Sequence, residues 1–275
     1  MNRREFLEKA RNFAIGSTLL PIIGSASSLI IEDEELLTPK DIIFASENRI
    51  NISKDVFLDK KFHESFLNVQ KKLNYIQRYV GYGNFNIISF DEAINVLRYS
   101  KDQTIFTSDE LAFIEYIFYY EPSYHGFYGE RTTINLSSKI NKNDIEKIPY
   151  TGHYVFKGKP KETYLKLKKD IGPTIYLTSG VRSVVKQMRL FLDKLKSVDM
   201  NLSMASRSIA PPAFTYHSVG DFDVGKKGLG ADNFTERFAH TSEFTEMKSL
   251  KYIDMRYTIG NKDGVRYEPW HVKVI

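Results

Sequence analysis

Cysteine is absent from the 275-residue chain. This absence excludes disulfide bonds, catalysis by a thiolate and any zinc site that is built on sulfur. A metal ion in this protein must therefore be held by histidine, aspartate or glutamate side chains. Histidine itself is scarce, with six copies in the chain, so the positions of the histidines are informative.

A basic run of the kind that binds nucleic acid is also missing. The formal net charge is +5 and the sequence pI is about 9.0, but the basic residues are scattered among acidic ones, without interleaved aromatics. This distribution is typical of a mixed-charge surface. With 42% hydrophobic and 27% charged residues, the composition is that of a globular protein long enough to bury a core.

The N-terminus resembles an export signal. Two arginines, Arg3 and Arg4, precede a modest apolar stretch from about residue 13 to 23 in MNRREFLEKARNFAIGSTLLPIIGSASS. That stretch is too short and too rich in Gly and Ser to span a bilayer permanently. We therefore predict a twin-arginine signal over residues 1–27, export to the periplasm, and no stable membrane span once the signal is removed. A cytosolic amphipathic helix is the alternative.

Residues 28–150 are predicted to be mostly helical. Apolar residues recur at helical spacing over residues 63–80. Ser89 and Thr107 each stand three residues before a glutamate at the start of an apolar run, which is the capping-box signature of a helix N-terminus. From residue 151 the pattern changes to short β-like runs (TIYLTSG, YIDMRYTI and HVKVI) around one predicted helix at about residues 183–197.

Two histidines lie near carboxylates in an arrangement that suits a metal. TYHSVGDFDVG places His217 six residues before Asp223, and EPWH places Glu268 three residues before His271. A catalytic zinc needs three protein ligands, an open position for water, and a carboxylate that takes a proton from that water. The two histidines and Asp223 would supply the ligands, and Glu268 would be the base.

Local backbone features are compatible with this site. Gly220 allows a tight turn within the first motif. Pro269 indicates an irregular or edge position, where Glu268 and His271 can point the same way although they are three residues apart. On these residues alone, histidines that merely pack in the core are an equal alternative.

A third motif precedes the other two. In LTSGVRSVVKQ, residues 177–187, a β-like run ends in Ser-Gly and is followed by Arg182, Ser183 and Gln187 as a helix begins. Taken in order, SGVRSxxxQ, TYHSVGDFDVG and EPWH resemble the motifs of the M15 zinc peptidases. This family contains D-alanyl-D-alanine carboxypeptidases and dipeptidases and related murein endopeptidases, and hedgehog signalling domains share its fold. The resemblance covers roughly residues 160–275.

The resemblance implies a complete catalytic set. One Zn²⁺ would be bound by His217, Asp223 and His271, and Glu268 would be the catalytic base. Arg182 matches the arginine that faces the scissile carbonyl or the substrate carboxylate, and a permanently charged guanidinium suits either role.

Three further positions match the family pattern and are candidates for substrate binding. Gln187 closes the SGVRSxxxQ motif. Thr215 stands where the family usually has serine, two residues before the histidine, and retains the hydroxyl. Trp270 matches the aromatic residue of the Glu-x-Trp-His motif, which is expected to pack behind the site.

One spacing departs from the family pattern. The family aspartate lies seven residues after the first histidine, where this chain has Val224. Asp223 is one residue early, and we prefer it because the following Val-Gly matches what comes after the family aspartate. The alternatives are Asp221 as the ligand with Asp223 behind it, and a site that has lost its metal.

The fold implied by the resemblance is α+β. An M15/hedgehog-like core over residues 151–275, with a small antiparallel sheet and flanking helices, would follow the mostly helical residues 28–150. The implied function is an exported zinc metallopeptidase that hydrolyses amide bonds in peptidoglycan peptide stems, as a D-alanyl-D-alanine or L,D-carboxypeptidase. Nucleic acid is not an expected partner, and no oligomeric state is predicted.

Other functions are compatible with the same residues. A murein endopeptidase would use the same site. A non-catalytic, zinc-stabilised cell-wall binding protein would use the same fold without needing Glu268. A third hypothesis is that the helical half anchors the protein to the wall, in which case it would work when separated from residues 151–275.

Overall fold

The computed structural model describes residues 55–274. The predicted export signal and the start of the helical region lie outside the described residues. None of the described helices is both long and apolar enough to cross a bilayer. The helices and strands follow in the order α1 (His63–Val80), α2 (Tyr82–Phe85), α3 (Phe90–Arg98), α4 (Ser108–Tyr119), β1 (Ile145–Lys147), β2 (Tyr154–Phe156), α5 (Lys159–Ile171), β3 (Ile175–Ser179), α6 (Val184–Ser197), α7 (Leu202–Ser208), β4 (Phe222–Lys226), α8 (Ser242–Ser249), β5 (Asp254–Met255) and β6 (His271–Lys273).

The N-terminal helices begin where their capping residues predict. Ser89 Oγ accepts a hydrogen bond from the backbone of Glu92, whose Oε2 accepts from Ser89 N at 2.8 Å. Thr107 and Glu110 make the same reciprocal pair at the start of α4. These contacts satisfy backbone N–H groups that a helix end leaves unpaired. The helical prediction for this region is confirmed, and α1 spans the residues that the apolar spacing indicates.

Short antiparallel strands form two sheets. β1 and β2 make a hairpin, while β3, β4, β6 and β5 lie side by side in that order. Along β3, buried and half-buried side chains alternate, whereas the first four residues of β4 are all buried. β4 is therefore covered on both faces, so a polar side chain on this strand is shielded from solvent. The predicted α+β fold, with a small antiparallel sheet and flanking helices, is confirmed.

One hydrophobic core packs the larger sheet against α5 and α8. It contains Leu167 of α5, Met247 of α8 and the strand residues Phe222 and Val272, all of them buried. These side chains cover the sheet on the side away from the polar residues of β4 and β6. The polar residues are thereby left to face the opposite side.

The second core joins the N-terminal helices to α6 and α7. Phe66 of α1, Phe113 of α4 and Phe191 of α6 are fully buried in it. A buried hydrogen bond crosses the same contact, because Gln70 Nε2 on α1 donates to Asp193 Oδ1 on α6 at 2.8 Å. The domain boundary predicted near residue 150 falls in the turn between β1 and β2. Helices from both sides of this boundary pack in the same hydrophobic core.

We predict that residues 151–275 do not fold cooperatively on their own. Removal of the preceding helices would expose the apolar side of α6 that packs on α1. Urea unfolding followed by circular dichroism would compare this fragment with residues 28–275. A fragment that unfolds in a sharp transition of its own would contradict the shared core.

Candidate metal centre

Three side chains that can hold a metal meet at one point. One candidate ligand atom from each of His217, Asp223 and His271 lies within 4.8 Å of the other two, and all three residues are buried. His217 lies in the short 3₁₀ helix Tyr216–Ser218, which the side chain of Thr215 caps. Asp223 on β4 is directly opposite His271 on β6. Antiparallel pairing therefore sets the distance between two of the three candidate ligands.

Each histidine is oriented by the ring nitrogen that faces away from Asp223. His217 Nδ1 lies 2.8 Å from the carbonyl oxygen of Gly180, which leaves Nε2 at 3.2 Å from Asp223 Oδ2. His271 Nε2 lies 2.9 Å from Asp221 Oδ2, which leaves Nδ1 at 3.2 Å from Asp223 Oδ1. Because carbonyl and carboxylate oxygens accept hydrogen bonds, the outer nitrogen carries a proton. In the neutral ring, the inner nitrogen then offers a lone pair.

The carbonyl that orients His217 is held by the β1–β2 hairpin. A Cβ atom at Gly180 would lie 1.9 Å from the carbonyl oxygen of Tyr154, so only glycine fits here. Val181 N donates to the same Tyr154 oxygen at 2.7 Å. The hairpin thus fixes the backbone on which the orientation of His217 depends.

The donor set fits a zinc ion. His217 Nε2 and Asp223 Oδ1 are buried and have no hydrogen-bond partner within residues 55–274. An unpaired buried polar atom costs about 1–3 kcal/mol, and a cation at this point would pair with both atoms. Two imidazole nitrogens and one carboxylate oxygen are also ligands that catalytic zinc sites use while a position stays open for water.

Asp221, the alternative ligand, already has both of its oxygens engaged. Oδ2 accepts hydrogen bonds from His271 Nε2 and Arg256 Nε, and Oδ1 accepts from Arg256 at 3.2 Å and from Val274 N at 2.9 Å. These four donors match the roughly four lone-pair positions of a carboxylate. Of the two aspartates, Asp223 is therefore the one that faces both histidines, with Oδ2 near His217 and Oδ1 near His271.

Glu268 lies beside the three candidate ligands. Its Oε2 is 3.5 Å from His271 Nδ1, and its Oε1 is 3.7 Å from Arg266 Nε. Across the turn at Pro269, His271 N donates to the carbonyl oxygen of Glu268 at 3.2 Å, and the two side chains approach each other. The backbone is irregular here, as predicted, but β6 itself lies between β4 and β5 rather than at an edge.

Burial and nearby charges shift the carboxyl groups in opposite directions. Burial raises the pKa of Glu268, although a hydrogen bond from His271 and the charge of Arg266 lower it in part. Burial alone would raise the pKa of Asp223 as well. The contacts of Asp223 with His217 and Arg182 outweigh burial, however, and hold its pKa well below the usual range. Asp223 is thus the ionised carboxylate, and Glu268 is the carboxyl closer to taking up a proton.

The two histidines also differ. Burial, together with the charge of Arg182, lowers the pKa of His217 to about 4, so this imidazole is neutral at pH 7. Burial would lower the pKa of His271 too, but the hydrogen bond to Asp221 and the nearby carboxyl groups of Asp223 and Glu268 raise it well above the usual value. A proton on His271 therefore competes with any metal for Nδ1.

Arg182 lies at the edge of the ligand cluster, as the sequence predicts. Its Nε donates to Ser179 Oγ at 2.8 Å, and a terminal nitrogen lies 2.5 Å from Asp223 Oδ2. Its backbone N donates to the carbonyl oxygen of His217 at 3.2 Å. A permanently charged, forked donor is thus held next to the candidate ligands, where it can face developing negative charge.

The structure places the three candidate substrate-binding residues away from solvent. Gln187 is fully buried, and its Nε2 donates to the carbonyl oxygen of Ala210 at 2.7 Å; its contact with substrate stays a prediction. Thr215 is buried and accepts a hydrogen bond from His217 N at 3.4 Å. Trp270 lies in the core beneath the sheet, which agrees with packing behind the site.

The contacts around His271 could not be assigned from the sequence. The ring of Tyr257 lies 4.8 Å from the His271 ring, and Arg256 contacts Asp221 as described above. Neither residue belongs to a recognisable motif.

Comparison with known families identifies the C-terminal part of the chain. Residues 160–275 match the VanY family, described as D-alanyl-D-alanine carboxypeptidase. Residues 160–275 are therefore similar to the VanY family. The match confirms the predicted peptidase family. At the level of that family, it also confirms the predictions of a hydrolytic enzyme and of zinc as the cofactor.

Solved structures give weaker likenesses to this chain, and no curated protein matches it. A zinc complex of the vancomycin-resistance D,D-pentapeptidase VanY from a VanB-type cassette is 18% identical, with a TM-score of 0.38, covering 54% of this chain and 85% of that one. VanYB with D-alanine-D-alanine is 17% identical, with a TM-score of 0.39 and coverages of 55% and 87%. The LD-carboxypeptidase LdcB is 22% identical, with a TM-score of 0.33 and coverages of 50% and 83%. At these values the likenesses add nothing to the VanY match.

We predict that the affinity of the protein for Zn²⁺ falls as the pH is lowered. The raised pKa of His271 means that this ring is protonated at pH values below it, and zinc must displace that proton. Calorimetric titrations in buffers of different ionisation enthalpy would measure the protons released. Zinc binding that releases no proton and is independent of pH would contradict this assignment.

Proposed function

We propose that the protein is an exported zinc-dependent carboxypeptidase that removes the terminal D-alanine from peptidoglycan stem peptides. The observation that carries the proposal is the buried cluster of two histidines and Asp223, with Glu268 beside it, inside the region that matches the VanY family. A non-catalytic binding protein would need the ligands but not the adjacent buried carboxyl group. The site therefore favours hydrolysis over binding alone.

The proposed metal ligands form a buried cluster. His217, Asp223 and His271 would hold the zinc, which when bound supplies Lewis-acid activation of water and of the scissile carbonyl. His217 is neutral at pH 7 and is oriented through its Nδ1 contact with Gly180. The side chain of this ligand is thus fixed before substrate arrives.

Glu268 is the residue placed to move protons. Its Oε2 lies 3.5 Å from a ligand nitrogen of His271, so a water next to the cluster would be within its reach. In the proposed reaction Glu268 takes the proton of the attacking water and returns it to the leaving amine. Burial raises the pKa of Glu268 towards neutral pH. A carboxyl group with such a pKa can both accept and return a proton.

Arg182 is placed to stabilise negative charge. Ser179 and Asp223 fix two of its nitrogens at 2.8 and 2.5 Å, and the planar guanidinium has further donors to offer. These donors would bind the oxyanion that forms at the scissile carbonyl, or the carboxylate of the terminal residue. The contact with the terminal carboxylate would favour a substrate whose chain ends close to the cut bond.

The location follows from the substrate class and the N-terminus. Peptidoglycan lies outside the cytoplasmic membrane, and the predicted twin-arginine signal over residues 1–27 would carry the chain there. That route exports folded proteins, so zinc can be bound before export. Periplasmic action is part of the proposal.

The test uses the mature chain, residues 28–275, with its zinc content quantified. Defined muropeptides would be incubated with the protein, and the products would be read by mass. We expect loss of a terminal D-alanine. In Glu268→Gln we expect turnover about 10²–10⁴-fold lower, because the proton acceptor is gone, with zinc still bound.

A matched control separates catalysis from folding. Glu243→Gln alters another buried carboxylate, which pairs with Lys226 Nζ at 2.8 Å on the far side of the sheet, and should leave the rate unchanged. Halving of cross-linked dimers would make the protein an endopeptidase instead. Stoichiometric zinc with no cleavage of any stem would contradict the proposal and favour a binding protein.

A further inference from the structure

We propose that Asp221 is a positioning residue that holds His271 with Nδ1 towards the metal, and that Arg256 locks Asp221 in place. This inference rests on the metal site of the proposed function. It assigns a role to an aspartate and an arginine that lie outside the set of ligands and base.

The contacts of Asp221 surround its whole carboxylate. His271 Nε2 lies 2.9 Å from Oδ2, and Val274 N donates to Oδ1 at 2.9 Å. Arg256 donates to both oxygens, through Nε to Oδ2 and through a terminal nitrogen to Oδ1 at 3.2 Å. The side chain of Asp221 is fully buried, so water does not compete for these positions.

These contacts determine which nitrogen of His271 faces the metal. A carboxylate accepts but does not donate, so the contact with Asp221 requires the proton of the neutral ring to sit on Nε2. The lone pair is then on Nδ1, which lies 3.2 Å from Asp223 Oδ1. Replacement of Asp221 by a group that does not select this tautomer would leave the ring free to present the wrong nitrogen.

Arg256 connects Asp221 to the segment that carries the other histidine ligand. Its guanidinium carbon lies 3.6 Å from the ring centre of Tyr216, the residue immediately before His217. Its backbone N also donates to the carbonyl oxygen of His271 at 3.3 Å. One arginine thus contacts both ligand-bearing segments, and its positive charge offsets the negative charge of Asp221.

The expected consequence is a tighter metal site. Carboxylates that hydrogen-bond to a metal-ligating histidine fix its orientation and raise its basicity, and their loss costs about 10–100-fold in metal affinity. Asp221 is neither a ligand nor the base, so its effect should appear in zinc binding itself and not only in turnover.

The first experiment measures zinc affinity of the full chain by competition with a chromophoric chelator. We expect about 10–100-fold weaker binding in Asp221→Asn, which keeps the shape but loses the charge. Asp193→Asn is the matched control, because Asp193 is a buried carboxylate with a hydrogen bond from Gln70 at 2.8 Å and an ion pair with Arg189 at 3.0 Å. The control should bind zinc as the wild type does, even where it lowers thermal stability.

The second experiment needs no variant. In the zinc-loaded wild type, ¹⁵N NMR of the imidazole groups should show His271 protonated at Nε2 and ligated through Nδ1. The opposite tautomer would overturn the proposal, even if Asp221→Asn does not fold.

The remaining outcomes are also decisive. Wild-type affinity in Asp221→Asn would overturn the positioning role. Loss of zinc as complete as in Asp223→Asn would overturn it too, because Asp221 would then be a direct ligand. A wild type that binds no zinc at all would contradict the proposed function, and is thereby distinguished from failure of this inference.

Discussion

The site depends on the antiparallel pairing of β4 with β6. This pairing puts Asp223 opposite His271, although 48 positions of sequence separate them. A slip of one residue would turn Asp223 into the core and bring Phe222 or Val224 to the ligand side. Both of those residues are fully buried on the apolar side of the sheet, so such a slip would place a charge in the apolar core and hydrophobic side chains among the polar groups of the site. The same burial that stabilises the sheet therefore specifies the register of the site.

The helical region before the VanY match supports this arrangement from the other side. The carbonyl oxygen of Asn86 accepts from Ser183 N at 2.8 Å, just where α6 begins after Arg182. The β1–β2 hairpin holds Gly180 through Tyr154, and Gly180 in turn orients His217. The N-terminal helices and the hairpin thus position one histidine and the arginine, while the sheet positions Asp223 and the other histidine.

Several features could be predicted because short stretches of sequence determine them. Capping boxes fixed the starts of α3 and α4, and helical spacing identified α1. The candidate ligands could be proposed because the absence of cysteine left few residue types that bind zinc, and because three ordered motifs resembled one family. The structure brings those residues together, and the VanY match confirms the family.

Other features could not be predicted because they depend on contacts between distant segments. Gln187 matches a family motif, but on α6 it points into the core that α6 shares with the N-terminal helices. No local sequence pattern indicates the contact of Arg256 with Asp221. This contact forms only because β5 lies beside β6 and Asp221 immediately precedes β4. The spacing of the two aspartates was visible, but the sequence alone left open which one faces the metal. The full set of hydrogen bonds to Asp221 gives the structural reason to prefer Asp223.

The central claim is that one zinc ion is held by two histidines and Asp223, with Asp221 behind one of the histidines. A crystal structure of the zinc-loaded protein, with anomalous data at the zinc edge, tests it most directly. The account predicts a single anomalous peak about 2.0–2.2 Å from His217 Nε2, His271 Nδ1 and a carboxylate oxygen of Asp223. A peak bonded to Asp221 instead of Asp223, or no peak at this point, would contradict it.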